Sequence, residues 1–592
     1  MIELSEKQIE QKTDFIKQYM EAFNPADGSK LDANANVTQK NLVTLAGELH
    51  KGDNIQLNRA MMMQRISEMF GPSLADEYKR QIEDHEIYIH DETSLLPYCV
   101  SINMFPFLLN GMKDLGGESI APKHLYTYVG QFQNLMFAVA SQFAGAVASV
   151  EWLMYFDYFA RKDFGDNYLA THMDRVTEHF ESTVYTLNQP AAARSYQSIF
   201  WNISLFDRGY FEGMFGDFVF PDFSKPNYDS ISKLQNTFMD FLHKERRRAV
   251  LTFPIVTASY INDGESPVDK DFGNDVAKWM NRGDRFFQYT SDTADSLSSC
   301  CRLKNDVSDK PDFSFTLGAG GVATGSINVI TINANRWEQL GLSYEDNISK
   351  IHKYLVAYKS IISDFIEAKM LPVYDAGYID IDKQFCTIGI NGMVEAAEWH
   401  HIHPDNNPEY IGFLSNRLKT IYDLNRQASL EYECKFNTEF VPAENLAIKN
   451  AKWDKDDNLF SPRDAYNSYF YAVEDEVISV IDKLELHGAE TTRFLDGGAA
   501  VHLNLTSHPT QDQAKYIMHI AIKKGVPFFT TNVLETSCNK CGYISPGTHL
   551  KCINCGSEDI DHLTRIIGYT KKLSNFSEKR RIEASRRFYH EK

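Results

Sequence analysis

No stretch of the chain has the roughly 20 consecutive apolar residues that a bilayer span requires. The best candidate, Leu135 to Val150, is shorter and carries Ser141, Gln142, Gly145 and Ser149. It reads as a buried helix. The opening Met1-Ile2-Glu3-Leu4-Ser5-Glu6-Lys7 has no basic segment followed by an apolar run, so a secretory signal is not expected. Basic residues are in deficit, 60 Lys and Arg against 80 Asp and Glu, for a formal charge of −20. A field of that sign repels nucleic acid and anionic membranes. Neither is an expected partner without a local basic patch. Internal repeats and low-complexity blocks are absent. Cysteine is scarce and odd in number, nine in 592 residues. That count, with two CxxC pairs, argues against a secreted disulfide scaffold and for a reducing, cytoplasmic setting.

What is present is globular. An apolar fraction of 43% rules out a mostly disordered chain. The length exceeds the roughly 250–300 residues at which single cores stop growing, which predicts one large domain with appendages or several domains. Helical patterns run over 6–24, 41–50, 58–69, from Pro72 to about Ile87, from Pro122 through an apolar stretch to about Tyr158, and over 170–188 and 229–247. Short β-branched runs lie between and after them: Val250 to Thr257, Gly325 to Asn333, and Gly497 to Leu505. Strands alternating with long helices indicate an α/β architecture. Composition shifts after about Thr530, where the chain becomes rich in cysteine, glycine and charge. It ends in a basic, helix-like tail from Ser577 to Lys592.

Cys538-Asn-Lys-Cys541 and Cys552-Ile-Asn-Cys555 are two knuckles with ten residues between them. A two-residue spacer lets both thiolates of a knuckle reach one ion, and Gly542 and Gly556 relax the turns. Four thiolates around Zn2+ make a closed structural tetrahedron with no position open to substrate. Two disulfides, or one redox-active CxxC, explain the quartet less well. Alone, such a ribbon would suggest a nucleic-acid or protein-binding module.

Ten residues beyond the ribbon comes Arg565-Ile566-Ile567-Gly568-Tyr569, followed by Lys579, Glu583, Arg587 and His590. A lone glycine there would be a turn residue. The order of ribbon, R-x-x-G-Y and basic tail resembles the glycyl-radical segment of the anaerobic (class III) ribonucleoside-triphosphate reductase family. Chemistry gives a reason for the glycine. A radical on Cα is stabilised between amide nitrogen and carbonyl and prefers a planar centre, which a Cβ would crowd.

The resemblance extends across most of the chain through short segments. His90-Asp91 followed by Leu95-Leu96-Pro97-Tyr98-Cys99 is similar to the strand carrying the first active-site cysteine. Ser298-Ser299-Cys300-Cys301-Arg302-Leu303 is similar to the finger-loop tip, whose cysteine before arginine, here Cys301, becomes a thiyl radical. Side chains alternate on an extended segment, so at most one of Cys300 and Cys301 faces substrate. Val329 to Arg336 resembles the next strand, with Asn333 as the active-site asparagine. Pro442-Ala443-Glu444-Asn445 resembles the substrate loop, with Glu444 as a proton-transfer candidate or, more plainly, a helix N-terminal carboxylate. Cys386 and Cys434 match no site and read as structural.

The resemblance implies a ten-stranded α/β barrel of the glycyl radical enzyme type with a central finger loop, plus a C-terminal zinc ribbon and radical loop. It divides the chain into an N-terminal helical region (1–80), a catalytic barrel (81–530) and the ribbon with its radical loop (531–592). It also implies a reaction. A partner radical S-adenosylmethionine activase with an iron–sulfur cluster forms the radical on Gly568, which passes to Cys301. The thiyl removes the 3′-hydrogen of a ribonucleoside triphosphate, and the 2′-hydroxyl leaves as water with Cys99 donating a proton or reducing equivalent. A homodimer with dNTP or ATP specificity effectors is the family expectation.

The interval Glu558 to Arg565 lacks the methionine that one branch, reduced by formate, carries before its glycine. The Cys300-Cys301 pair also leans toward re-reduction by a thioredoxin- or glutaredoxin-like protein. Only about 40 residues precede the helices leading to the Cys99 segment, against about 90 in the family's ATP-binding cone, and its basic-Asp-Gly signature is missing, so no dATP off-switch is expected. The alternatives are the formate-dependent form, another glycyl radical enzyme acting on a small molecule, and a non-enzymatic zinc-ribbon protein. The last leaves Cys99, Cys301 and Gly568 unexplained. Air exposure of the activated chain should cleave the backbone at Gly568 and release a fragment of roughly 25 residues, read by mass spectrometry.

Overall fold

The computed structural model describes residues 4–31, 33–190, 196–294, 296–298, 304–306, 322–440, 445–566 and 568–591. Cys300, Cys301 and Glu444 lie outside the described residues. No described helix is long and apolar enough to cross a membrane.

The strands, in chain order, are β1 (Ile87–Ile89), β2 (Cys99–Ser101), β3 (Val147–Ala148), β4 (Trp201–Phe206), β5 (Ile255–Ile261), β6 (Phe287–Ser291), β7 (Ser296–Ser298), β8 (Lys304–Asp306), β9 (Thr324–Asn333), β10 (Gln384–Asn391), β11 (Lys435–Phe440), β12 (Val501–Leu505) and β13 (Phe528–Val533). A smaller sheet follows, made of β14 (Glu535–Cys538), β15 (Ile544–Ser545), β16 (Ile560–Arg565) and β17 (Thr570–Lys572). The large sheet runs β11-β10-β9-β2-β3-β4-β5-β6-β13-β12, with β1 attached to β9 outside this path. The five strands β2 to β6 are parallel to one another. The β9-β10-β11 and β12-β13 groups are each parallel, and they meet the first half along antiparallel seams at β2/β9 and β6/β13. A parallel bridge between Glu439 and Gly498 joins the two ends, with Phe440 N donating to Gly498 O at 3.2 Å. The ten-stranded sheet is therefore a closed barrel of two five-stranded halves, as the resemblance implies. Closure removes the free edges that an open sheet would expose.

Helices cover the outside because the outward side chains are apolar. Ile203 and Leu205 on β4, Ile388 and Ile390 on β10, and Leu503 on β12 all belong to one continuous core with the helices behind them. Burying such side chains is worth about 1.5–3 kcal/mol each relative to exposure.

Several sequence expectations are corrected here. The helical patterns over 41–50 and 58–69 form one helix, Leu42–Phe70, capped by Asn41 and ended by Gly71. The polar residues between them do not break the hydrogen-bond ladder. Leu135 to Val150 is not one helix. The helix Leu125–Ala140 stops, the chain turns, and Val147–Ala148 enters the barrel as β3 before the helix Trp152–Phe164 begins. Two buried strand residues give no alternation to read, which hid β3. The run Val250 to Thr257 becomes strand only from Ile255. The tail is helical only over Glu578–Arg586, and beyond it His590 bridges to Leu505 on β12.

The small residues before β3 have a packing reason. A Cβ on Gly145 would lie 2.5 Å from Cys99 Sγ and 2.9 Å from the Tyr98 carbonyl oxygen. Gly145→Ala should destabilise the fold by about 1–3 kcal/mol through overpacking, measured as a lower urea midpoint at unchanged m.

Candidate active site

Strand alternation sorts the barrel residues into an outer and an inner set. The outer set is apolar. The inner set is polar: Cys99 and Ser101 on β2, Asn202 and Ser204 on β4, Thr257 and Ser259 on β5, Thr387 and Asn391 on β10, Asn437 and Glu439 on β11, His502 and Asn504 on β12, Thr530 and Asn532 on β13. All of them are buried. Register supports the sorting, since Thr387 pairs with Asn437, Gly389 with Glu439, and Asn504 with Asn532. Among the described residues, Ser101 Oγ, Ser204 Oγ, Ser259 Oγ, both amide atoms of Asn437 and Asn504 Nδ2 are buried without a hydrogen-bond partner. Each such group costs about 1–3 kcal/mol. A wall with that many unmet polar atoms is shaped for a polar ligand.

Cys99 stands in this wall. Its Sγ accepts the Ala146 amide at 3.3 Å, and it packs with Ala146, Tyr98 and Phe200. Gly568 enters from the other end of the chain. Strands β16 and β17 pair antiparallel on either side of Gly568, with Arg565 opposite Thr570. Gly568 is buried. Tyr569 packs on Phe200 at 5.1 Å between ring centroids and on Phe253 at 5.8 Å. The same phenyl ring, Phe200, therefore touches the cluster of Cys99 and the neighbour of Gly568. The stem is pinned to the barrel by Asn532, whose Oδ1 accepts the Arg565 amide at 3.0 Å and whose Nδ2 donates to Asn504 Oδ1 at 2.8 Å. Arg565 lays its guanidinium over Phe287 at 4.3 Å and donates to Thr530 Oγ1. Thr252, just before β5, donates to Thr570 O at 3.3 Å.

The small sheet supports the hairpin. β14 carries Cys538 and pairs with β16, Cys538 opposite Ile560. The sulfurs of Cys538, Cys541, Cys552 and Cys555 lie within 4.8 Å of one another, and two of the pairs stand at 3.6 Å. Sulfurs each about 2.3 Å from one tetrahedral ion would be about 3.8 Å apart, so the quartet fits a metal. Gly542 and Gly556 take left-handed conformations, φ 75° and 73°, as the knuckles demand. Where β13 passes into β14, Glu535 is buried between Arg247 and Arg285. Burial alone would raise its pKa, but the two guanidinium groups hold it below the usual carboxylate value.

Asn333, at the end of β9, pairs with Asn391 and shares its inner face, but its amide is already engaged. Its Oδ1 accepts the Arg336 amide at 3.3 Å as a helix cap, and its Nδ2 donates to Asp454 at 2.9 Å. Asp454, Asn335, Arg336 and Tyr466 complete that buried network. The described contacts do not bring Asn333 to Cys99. Cys386 and Cys434 lie behind the wall with sulfurs 3.4 Å apart. Sequence reasoning missed Asn437, His502, Asn504 and Asn532. The available signal was a polar residue at every second position of short runs such as Val501-His502-Leu503-Asn504-Leu505.

Comparisons with known proteins agree with this architecture. One family profile, anaerobic ribonucleoside-triphosphate reductase, matches residues 48–590. No curated protein matches the chain by sequence. Among solved structures, an anaerobic ribonucleotide reductase superposes with a TM-score of 0.86 at 25% identity, covering 99% of this chain and 93% of its own. The anaerobic ribonucleotide reductase from Thermotoga maritima in complex with dATP and CTP gives 0.82 at 25% identity, covering 98% of this chain and 100% of its own.

The orphaned wall yields a test that separates a binding site from a structural core. Asn437→Leu should raise the urea midpoint, by about 1–3 kcal/mol of stability, while removing turnover. A variant that is less stable, or equally active, would place Asn437 in the structural core instead.

Proposed function

Because the chain belongs to the anaerobic ribonucleoside-triphosphate reductase family, and is thus an oxidoreductase reducing ribonucleoside triphosphates to deoxyribonucleoside triphosphates, we propose that Gly568 stores the radical driving the reaction. The observation that carries this reading is the hairpin tip of β16 and β17, buried against Phe200 beside Cys99. A carbon radical reacts quickly with oxygen and water-borne reductants, and burial is the protection it needs. A Cα centre between an amide and a carbonyl is also the most stabilised carbon radical that a backbone offers.

Cys301 gives its thiol hydrogen to Gly568 and becomes the thiyl. The thiyl takes the 3′-hydrogen of the ribose, the 2′-hydroxyl leaves as water, and the 3′-hydrogen is returned. Cys99 supplies a proton or reducing equivalent from the wall, with Glu444 as a proton-transfer partner and Cys300 beside the thiyl. Asn437, with both amide atoms unmet, suits a sugar hydroxyl better than Asn333, whose amide is engaged with Asp454. We assign Asn333 to holding the end of β9.

Zinc in the four-cysteine group would stiffen β14 and, through it, the stem of the hairpin. The Thermotoga maritima relative was solved with dATP and CTP, and by analogy this chain takes ribonucleoside triphosphate substrates and dNTP or ATP effectors, as a homodimer in the cytoplasm. Radical installation is assigned to a separate activase that uses S-adenosylmethionine and an iron–sulfur cluster. The next reduction is assigned to a thioredoxin- or glutaredoxin-like protein acting on a disulfide that includes Cys99.

Anaerobic activation should give an electron paramagnetic resonance doublet and CTP-to-dCTP turnover. Gly568→Ala should lose both, and a silent wild-type chain would overturn the assignment. Turnover supported by formate alone, at redoxin-supported rates, would overturn the reductant.

A further inference from the structure

The group that holds the hairpin in the barrel sits in the C-terminal tail. After the helix Glu578–Arg586 the tail runs back along the barrel. Phe588 N donates to Val473 O at 2.9 Å, His590 N to Asn504 O at 3.0 Å, and Thr506 N to His590 O at 2.9 Å. Within this strap the Arg587 side chain is only 2% exposed. Its Nε binds Glu583 Oε1 at 2.7 Å, which sets the orientation of the guanidinium plane. Its Nη1 donates to Arg565 O and its Nη2 to Ile566 O, each at 3.3 Å. Tyr589 OH meets Thr564 Oγ1 at 3.0 Å, and Tyr469 OH donates to Ile566 O at 3.5 Å.

We propose that Arg587 is a positioning residue for the radical reaction: its guanidinium clamps the carbonyls of Arg565 and Ile566 and so sets where Gly568 stands in the barrel. The inference rests on the reading of Gly568 as the radical site.

The chemistry favours arginine in this place. Two adjacent carbonyls at the end of β16 ask for two donors in a fixed plane, and a guanidinium supplies them without losing its charge. A lysine would offer one point charge and reach one carbonyl well. An ion pair with Glu583 alone would leave both Nη groups with no reason to face the hairpin. Fixing the peptide planes before the tip fixes the path of the tip itself. Hydrogen-atom transfer depends steeply on separation, and a 1 Å misplacement costs about 10²-fold in rate.

The test uses the full chain with Arg587→Ala, Arg587→Lys and Glu583→Gln. Before activation, hydrogen exchange is followed by mass spectrometry on peptides covering 565–570, with a peptide from the helix Tyr344–Glu367 as control. Arg587→Ala should exchange at least about tenfold faster at the hairpin and unchanged at the control, since local and global opening are separable. After activation its kcat should fall about 10²-fold with KM within about twofold, Arg587→Lys should lie between it and wild type, and millimolar guanidinium ion should restore part of the Arg587→Ala rate. Glu583→Gln, which keeps an oxygen acceptor for Nε but loses the charge, should lie between Arg587→Lys and wild type.

Unchanged exchange at the hairpin overturns the clamp. So does faster exchange with kcat retained, or equal loosening of hairpin and control in both arginine variants. A wild-type chain with no glycyl doublet sinks the Gly568 assignment instead, and the exchange comparison then decides the clamp alone.

Discussion

A barrel whose interior is buried, polar and incompletely hydrogen-bonded is the constraint on which the rest depends. Ser101, Ser204, Ser259, Asn437 and Asn504 each leave polar atoms unmet in the wall. An apolar lumen would be more stable and would do nothing. The excess cost is tolerated because the outer face of the same strands joins a continuous core running through the covering helices. Closure through Glu439 and Gly498 is part of that tolerance, since an open edge beside so polar a face would admit water. Among the described residues the interior is thus buried and polar, a setting in which electrostatic contacts to a bound nucleotide count for more than in water.

The hairpin of β16 and β17 is held from three directions, and each support comes from a different part of the chain. The four-cysteine group acts through β14. Asn532 acts from the barrel wall. The tail acts through Arg587. A short connection between two strands has little rigidity of its own, so the radical proposed for Gly568 would depend on these supports. The arrangement also explains why a metal-binding ribbon belongs to an enzyme whose chemistry the metal does not perform.

Much of the site was legible before any coordinates. The two CxxC knuckles and the R-x-x-G-Y segment after them carry their chemistry in their spacing, because ligand reach and backbone freedom are local properties. Cys99 was legible through its neighbours. Asn333 shows what local reading leaves open. An asparagine at the end of a strand can face a lumen or cap the next helix, and here Asp454, 121 residues away, engages it. Asn328 offers a second case. A register shift at β9 and β10 leaves Ile327 unpaired, so counting every second residue from Ser326 would put Asn328 inside, whereas its amide reaches the His90 carbonyl behind β1.

The amino-acid sequence by itself determined the α/β class, the metal-binding quartet, the candidate radical glycine and the lack of an apolar run long enough to span a bilayer. Those follow from composition, spacing and short-range geometry. Only the tertiary structure decided that β3 is a barrel strand, that Phe200 is shared between Cys99 and Tyr569, and that the tail closes on the hairpin through Arg587. The physical reason is the same in each case. A two-residue strand is too short to show alternation, and contacts between residues hundreds of positions apart exist only once the ring of strands has closed.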